Sequence, residues 1–386
     1  MRIISIDISG KVYKYDDALY DEMLKVCSYN DELICCTPYE TKSTSKILFN
    51  LWNFVPKKKA NSQNRFKRLL KALEGLLNYV RLIYFMYKYK PNILHLQWLP
   101  FLEICIIEYY FIKLYKSINK KLKLVLTVHN IYPHNISDLN KQIYKKRFIY
   151  IDNLLDNYIV HTQSTVLELN KEFGICVGKV NVIRHGVFIP TFIPTRTRDN
   201  NGKCRILMYG FQSHYKGTDI LVEAINKLPK KEKEMVEIRI VGKTSKDLIT
   251  LLEKSSEVIS WNNSFLSDND LCQEIVNADL LVFPYRKISQ SGALLLGLFF
   301  EKPIIASSLP SFVETMCNYP SELFFISENP DSLMNSIIYY LSMQESSKNH
   351  LFSKIKEIKN KNSWQMSAKQ TLDLYRNLSN TYIHNH

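Results

Sequence analysis

Short apolar runs alternate with longer stretches of helical spacing along the whole chain. MRIISIDISG at the N-terminus reads as a first strand. ILHLQW (93–98), KLVLTVHN (123–130), NYIVHT (157–162) and VNVIRHG (180–186) follow, each stopping at polar residues. Between them, apolar positions recur at helical intervals over 66–90, 101–117 and 140–155. Strands separated by helices predict βαβ units and a parallel sheet. Residues 188–203 break the pattern with two prolines and an Asp-Asn-Asn-Gly cluster, which is linker chemistry. The alternation then restarts with strands RILMYG (205–210), VEIRIVG (236–242), VISW (258–261), DLLVFPY (279–285) and PIIAS (303–307). Helices are expected at 218–228, 246–254, 268–277, from about Ser291, and near 330–342. The expected class is α/β with two parallel-sheet domains, 1–190 and 203–350. The tail, 362–386, carries Trp364, Ala368, Leu372 and Tyr375 at helical spacing, and a helix with no following strand is expected to pack back toward the N-terminal domain.

Composition narrows the class. With 386 residues, 46% of them hydrophobic, and only 11 Gly and 13 Pro, the chain can bury large cores and is neither fibrous nor disordered. The most apolar stretch, 99–114, is interrupted by Glu103, Glu108 and Lys113, so no transmembrane helix is expected. The N-terminus reads as a strand and not as a signal peptide. Eight scattered cysteines without a CxxC pair exclude a zinc ribbon and suit reduced thiols in the cytoplasm.

The net charge of +14 is concentrated. Residues 1–190 hold 28 basic against 16 acidic side chains, and 191–386 hold 23 against 21. Residues 42–90 hold 12 basic residues and a single acid, Glu74. Such a surplus suits an anionic partner surface. Lys57, Lys58 and Lys59 precede a helix in which Phe66, Leu69, Leu70, Leu73, Leu76 and Leu77 oppose Lys67, Arg68 and Lys71. This is either a core-packed helix with a solvated basic face or a patch for anionic lipid headgroups or a lipid diphosphate. Each basic residue near such a surface contributes roughly 1 kcal/mol. No nucleic-acid recognition motif accompanies the charge.

In open parallel sheets ligands bind at the carboxyl ends of strands. After RILMYG, Gly210 lets a ligand approach the backbone, and Lys216 with Gly217 precedes a helix whose N-terminus favours anions. After DLLVFPY, Ser291 is a good N-cap, with the amides of Gly292, Ala293 and Leu294 behind it. Arg286 on the same loop could make a paired phosphate contact. His129 and Asn130 end a strand, His134 follows, and His95 and His161, lying within strands, read as core residues. No Ser-His-Asp spacing, Walker motif or acidic metal pair stands out.

Together YGFQSHYKGTDILVEAI, VEIRIVGK, ADLLVFPYR, SQSGALLLGLFFEKPIIAS, Glu314, TVHNIYPHN and VIRHGV resemble the retaining glycosyltransferases of family 4, glycosyl transferases group 1, in the QSGxL branch. The resemblance implies a GT-B fold, two Rossmann-like domains facing each other across a cleft. It implies a nucleotide-diphosphate sugar as donor substrate, a saccharide or lipid-diphosphate-linked acceptor, and no metal or cofactor. His129, Lys216 and Arg286 would act in catalysis. Gly210, Lys216, Gly242, Lys243, Arg286, Ser291, Gly292, Ala293, Leu294 and Glu314 would bind the donor, with Glu314 on the ribose. Gly10, Asn130 and His134 would face the acceptor. The expected role is cell-surface polysaccharide or glycolipid synthesis at the inner face of the membrane.

Two departures qualify this. The arginine usual shortly before the lysine is absent, with Phe211 and Ser213 at the candidate positions. The paired glutamates around the SGALLLGL helix are replaced by Ile288 and Leu296. A weak or inactive nucleotide-sugar-binding scaffold, or an epimerase-like enzyme, are therefore the alternatives.

Overall fold

A computed structural model describes residues 1–38, 48–53, 65–133, 136–198 and 202–380. The chain divides into two compact units, Val187–Ser363 and Met1–Gly186 with the tail from Trp364.

The first unit is a seven-stranded parallel sheet in the order β3-β2-β1-β4-β5-β6-β7. Its strands are β1 (Arg2–Ile6), β2 (Glu32–Thr37), β3 (Leu48–Asn50), β4 (Ile93–Leu96), β5 (Lys123–Thr127), β6 (Asn157–Val160) and β7 (Val180–Val182). Successive residues of a strand face opposite sides of the sheet, and the core divides accordingly. Ile4, Leu94, Leu124 and Tyr158 face a cluster built with helices Arg65–Tyr89, Ile107–Ile118, Asp138–Asp152 and Gln163–Phe173. Their neighbours Ile3, Ile93, Val125 and Ile159 face helix Tyr13–Val26 and the tail helix Trp364–Asn380. The tail helix buries Trp364, Ala368, Leu372 and Tyr375 here. Gly186 lies directly under the Trp364 ring, where a Cβ would come within 2.3 Å of it.

The second unit is a six-stranded parallel sheet in the order β10-β9-β8-β11-β12-β13. Its strands are β8 (Cys204–Tyr209), β9 (Val236–Val241), β10 (Ile259–Asn262), β11 (Leu280–Phe283), β12 (Ile304–Ser307) and β13 (Phe324–Phe325). Each sheet is doubly wound, reversing direction of growth between its first and fourth strands: β1 and β4, β8 and β11.

Three expectations change. Residues 188–198 are not a free linker: Arg198 pairs with Asp279 at 2.9 Å and Glu237 at 3.1 Å, and Arg196 pairs with Asp279 at 2.8 Å, fastening the segment to the second unit. That unit also extends past residue 350, because helix Glu345–Lys361 buries Leu351, Ile355 and Ile358 in its core. The helix expected at 101–117 starts only at Ile107, since the buried Glu108 carboxylate accepts the Phe101 amide at 3.1 Å and folds 101–104 into turns.

Candidate functional site

In the second unit, β8 and β11 open at the point where strand order reverses, and the chain after each is tightly braced. The Gln212 side chain is buried beneath the β8 loop. It donates to the Gly210 carbonyl at 2.7 Å and accepts from the Thr218 hydroxyl at 2.9 Å. Its backbone joins the β9 loop through Gln212 N to Lys243 O at 2.8 Å. Gly210 (φ +96°) and Gly242 (φ +129°) lie so close that a Cβ on Gly242 would stand 2.0 Å from the Gly210 oxygen. Only glycine takes these angles without strain.

Lys216 ends a short helical turn, His214–Lys216, just before helix Thr218–Lys227. Its side chain folds back over the glycines, with Nζ 2.6 Å from where a Gly210 Cβ would stand and 5.5 Å from the Tyr285 ring centroid. Lys216 is 7% exposed, and burial pulls its ammonium down to about 8. Among the described residues, no carboxylate or carbonyl accepts from Nζ. A buried ammonium is costly unless something anionic pairs with it.

Ser291 caps helix Gly292–Phe299, its Oγ accepting from the Leu294 amide at 3.2 Å. The Leu294 amide is thus occupied, while those of Gly292 and Ala293 stand in the first turn, where no intrahelical carbonyl reaches them. Glu314 is half-buried in helix Pro310–Thr315 after β12, and Lys243 is exposed.

Arg286 is placed differently from the expectation. Its fork grips Asp219, Nη1 to Oδ1 at 2.8 Å and Nη2 to Oδ2 at 2.6 Å. Nη1 also donates to the His214 carbonyl at 2.6 Å, and Nε stands 3.4 Å from Glu328. Burial alone would raise the Asp219 carboxyl, but the Arg286 pair outweighs it and holds the group below its usual range. The planar fork expected on phosphate is therefore spent inside the protein, bracing the turn that carries Lys216. Asp219 was not visible as its partner because the two residues lie 67 positions apart.

In the first unit the ends of β1, β4 and β5 carry another constellation. After β1, the Asp7 carboxylate accepts from Ser9 N (3.0 Å) and Val12 N (3.1 Å), closing the loop that holds the buried Gly10. Lys11 reaches over the Trp98 ring at 4.6 Å. Trp98, Glu103, His129, Asn130 and Tyr144 line a small cavity of about 30 Å³, on the order of the room for a water molecule. His129 meets Tyr15 edge to face at 4.8 Å and lies 5.3 Å from His161, which in turn lies 5.2 Å from His185. Burial, then the neighbouring histidines, depress the His129 imidazole well below its usual range. His95 is a core residue as expected, bonded to Thr127 at 2.7 Å and to the Tyr375 hydroxyl of the tail helix at 2.5 Å. His161 is buried too, yet it touches His129. Strand order, not sequence spacing, brings these rings together. His134 and Lys57 to Lys59 lie outside the described residues.

The second unit thus carries a buried cation over glycines at its strand reversal, and the first unit a polar aromatic cluster at its own. Residues 191–356 match the family model "Glycosyl transferases group 1". A GDP-mannose:glycolipid 4-beta-D-mannosyltransferase of Xanthomonas campestris pv. campestris is 25% identical over 187 residues, 47% of this chain and 49% of that protein. The chain thus spans about half the length of the curated relatives it matches. A glycosyltransferase from Rickettsia africae ESF-5 superposes with a TM-score of 0.66 at 20% identity, covering 100% of this chain and 98% of the other. Anabaena Alr3699/HepE in complex with UDP and glucose does so at 0.58 and 14%, covering 99% of both. The chain has the GT-B fold, and the stretch that matches the group 1 glycosyltransferase model lies within its second unit.

Proposed function

We propose that the chain is a glycosyltransferase that moves a sugar from a nucleotide-diphosphate donor to a saccharide or lipid-diphosphate-linked acceptor in cell-surface polysaccharide or glycolipid synthesis. The observation that carries this reading is Lys216, a buried ammonium without an internal partner over a glycine bed at a strand reversal. A diphosphate supplies the missing negative charge, and the first-turn amides of Gly292 and Ala293 add donors. As the sugar C1–O bond breaks, charge grows on the leaving diphosphate, where preorganised donors stabilise it most. The reading carries retention with it. The acceptor hydroxyl oxygen bonds C1 on the face the diphosphate leaves, and its proton passes to the departing phosphate oxygen. No metal is needed in this scheme, because Lys216 and the helix amides meet the charge. Glu314 is assigned to the ribose, and Gly10, Asn130 and His129 to the sugar-facing side.

A peripheral place on an anionic membrane is supported by helix Arg65–Tyr89. Phe66 (65% exposed), Leu69 (68%) and Leu73 are exposed beside Lys67 and Arg68. Leu82, Phe85 and Met86 fill the core. Basic and apolar groups on one exposed face suit lipid headgroups. Binding to phosphatidylglycerol vesicles that weakens as salt rises is expected, and no binding at any salt would remove the membrane from the reading.

The direct test incubates the protein with labelled GDP-mannose or UDP-glucose and a synthetic lipid-diphosphate saccharide. Label in the lipid product supports transfer. Binding without turnover would instead favour the scaffold, and release of an altered free sugar the epimerase-like enzyme.

A further inference from the structure

The histidine cluster in the first unit fixes proton positions. His161 Nδ1 lies 2.9 Å from the Ile183 carbonyl oxygen, which can only accept, so Nδ1 carries the proton. Burial lowers the His161 imidazole to about 4, so the ring is neutral near pH 7 and its Nε2 is a bare acceptor. That Nε2 faces His129 Nδ1 at 3.4 Å, and the contact is a hydrogen bond only if His129 Nδ1 donates. A neutral His129 must then present an unprotonated Nε2. Among the described residues this atom is buried and has no hydrogen-bond partner.

A second unpartnered group accompanies it. Among the described residues the indole Nε1–H of Trp98, a donor only, is buried without a partner, and its ring stacks at 29° to His129 with centroids 6.2 Å apart. Trp98 and His129 line the same cavity of about 30 Å³. One open acceptor and one open donor at a space of this size match a hydroxyl, which both donates and accepts. An anion could use only the indole, and a cation only the imidazole.

We propose that Trp98 and His129 read a sugar hydroxyl, and that His161 is a positioning residue that holds His129 in the tautomer able to accept from it. This deepens the glycosyltransferase reading and rests on it for the sugar. The hydrogen-bond chain in which His129 donates to His161 and His161 donates to the Ile183 carbonyl stands independently of which sugar is bound.

The test separates the two. Nitrogen-15 NMR of the histidine-labelled full chain near pH 7 should show His129 with Nδ1 protonated and Nε2 bare. A protonated Nε2 in the wild type would overturn the proposal whether or not the protein transfers sugar. His161→Gln offers an amide to the Ile183 carbonyl and an oxygen to His129, so it should keep the tautomer. His161→Phe offers neither and should lose it. With whichever of GDP-mannose or UDP-glucose is transferred, His161→Phe and Trp98→Phe should each lower kcat tenfold or more with nucleotide affinity unchanged, while His161→Gln stays within threefold of wild type. Equal losses in His161→Gln and His161→Phe would reduce His161 to a packing residue and overturn the positioning role. If neither donor is transferred, the glycosyltransferase reading fails for those donors, and the tautomer measurement still decides the hydrogen-bond chain.

Discussion

The strand reversals of the two units are built alike in backbone and opposite in chemistry. At β8 and β11 the loops close through glycines, and among the described residues the buried Lys216 ammonium has no carboxylate or carbonyl partner. At β1, β4 and β5 the ends are filled by aromatic and imidazole rings, and burial drives the titratable groups toward neutrality. Asp7 and Asp16 are pushed up, and His95, His129, His161 and His185 are pushed down. Desolvation acts on every one of these groups. Of the groups named here, Lys216 alone retains a pKa, about 8, that leaves it charged at neutral pH while buried. One reversal therefore suits an anion and the other a neutral, hydroxyl-bearing molecule.

The largest effect expected from breaking this contrast is on stability. Trp364 is 3% exposed and meets His185 at 4.9 Å and Tyr15 at 5.1 Å, so Trp364→Ala should destabilise the first unit by about 3–5 kcal/mol. Nucleotide affinity, which the proposed reading assigns to the second unit, should survive wherever the variant remains folded. Calorimetric melting with UDP or GDP titration checks both statements.

Next comes Lys216→Ala. A charge-assisted contact contributes roughly 1.5–3 kcal/mol, so affinity for nucleoside diphosphates should fall about tenfold to a hundredfold. The melting temperature should hold or rise, because the substitution removes a buried charge with no internal partner. A marked loss of stability would mean that the lysine serves the fold instead.

Arg286→Lys sharpens the same unit and should do less. A lysine cannot reproduce the double contact with Asp219, and the loss for a partly exposed pair is roughly 1 kcal/mol of stability. Nucleotide affinity should change far less than in Lys216→Ala. An equal loss of affinity in both variants would return Arg286 to the phosphate site.

Much of this architecture was legible in the residue pattern, and the gaps have physical causes. Most central strands announced themselves as apolar runs ending at polar residues, and Ser291 was readable as a cap because capping is local. Helix Tyr13–Val26 went unread because its buried Tyr15, Leu19, Tyr20 and Met23 are interleaved with four acids. Helix Glu345–Lys361 hides three buried apolar residues among lysines and serines. The exposure of Phe66, Leu69 and Leu73 could not be chosen from the sequence, since a stripe of leucines looks the same whether it meets a core or solvent. The Arg286–Asp219 pair and the histidine cluster depend on which strands become neighbours, and spacing along the chain carries no record of that.

Lys216, proposed as the cation that receives the nucleotide diphosphate, carries a signature of that role in its pKa. In the free protein Lys216 loses its proton near pH 8, below its value of about 10.4 in an unfolded chain. Below pH 8 its burial opposes folding, and that penalty is released as pH rises from 8 toward 10.4. Diphosphate affinity should run the other way, full below pH 8 and falling above it as the ammonium is lost. Titrating UDP and GDP calorimetrically into wild type and Lys216→Met from pH 7 to 9.5 tests this directly. The account predicts wild-type affinity for at least one of them that weakens above pH 8, and a Lys216→Met affinity about tenfold to a hundredfold lower at pH 7 with no such pH dependence. Matching affinities and matching pH profiles in the two proteins would contradict it.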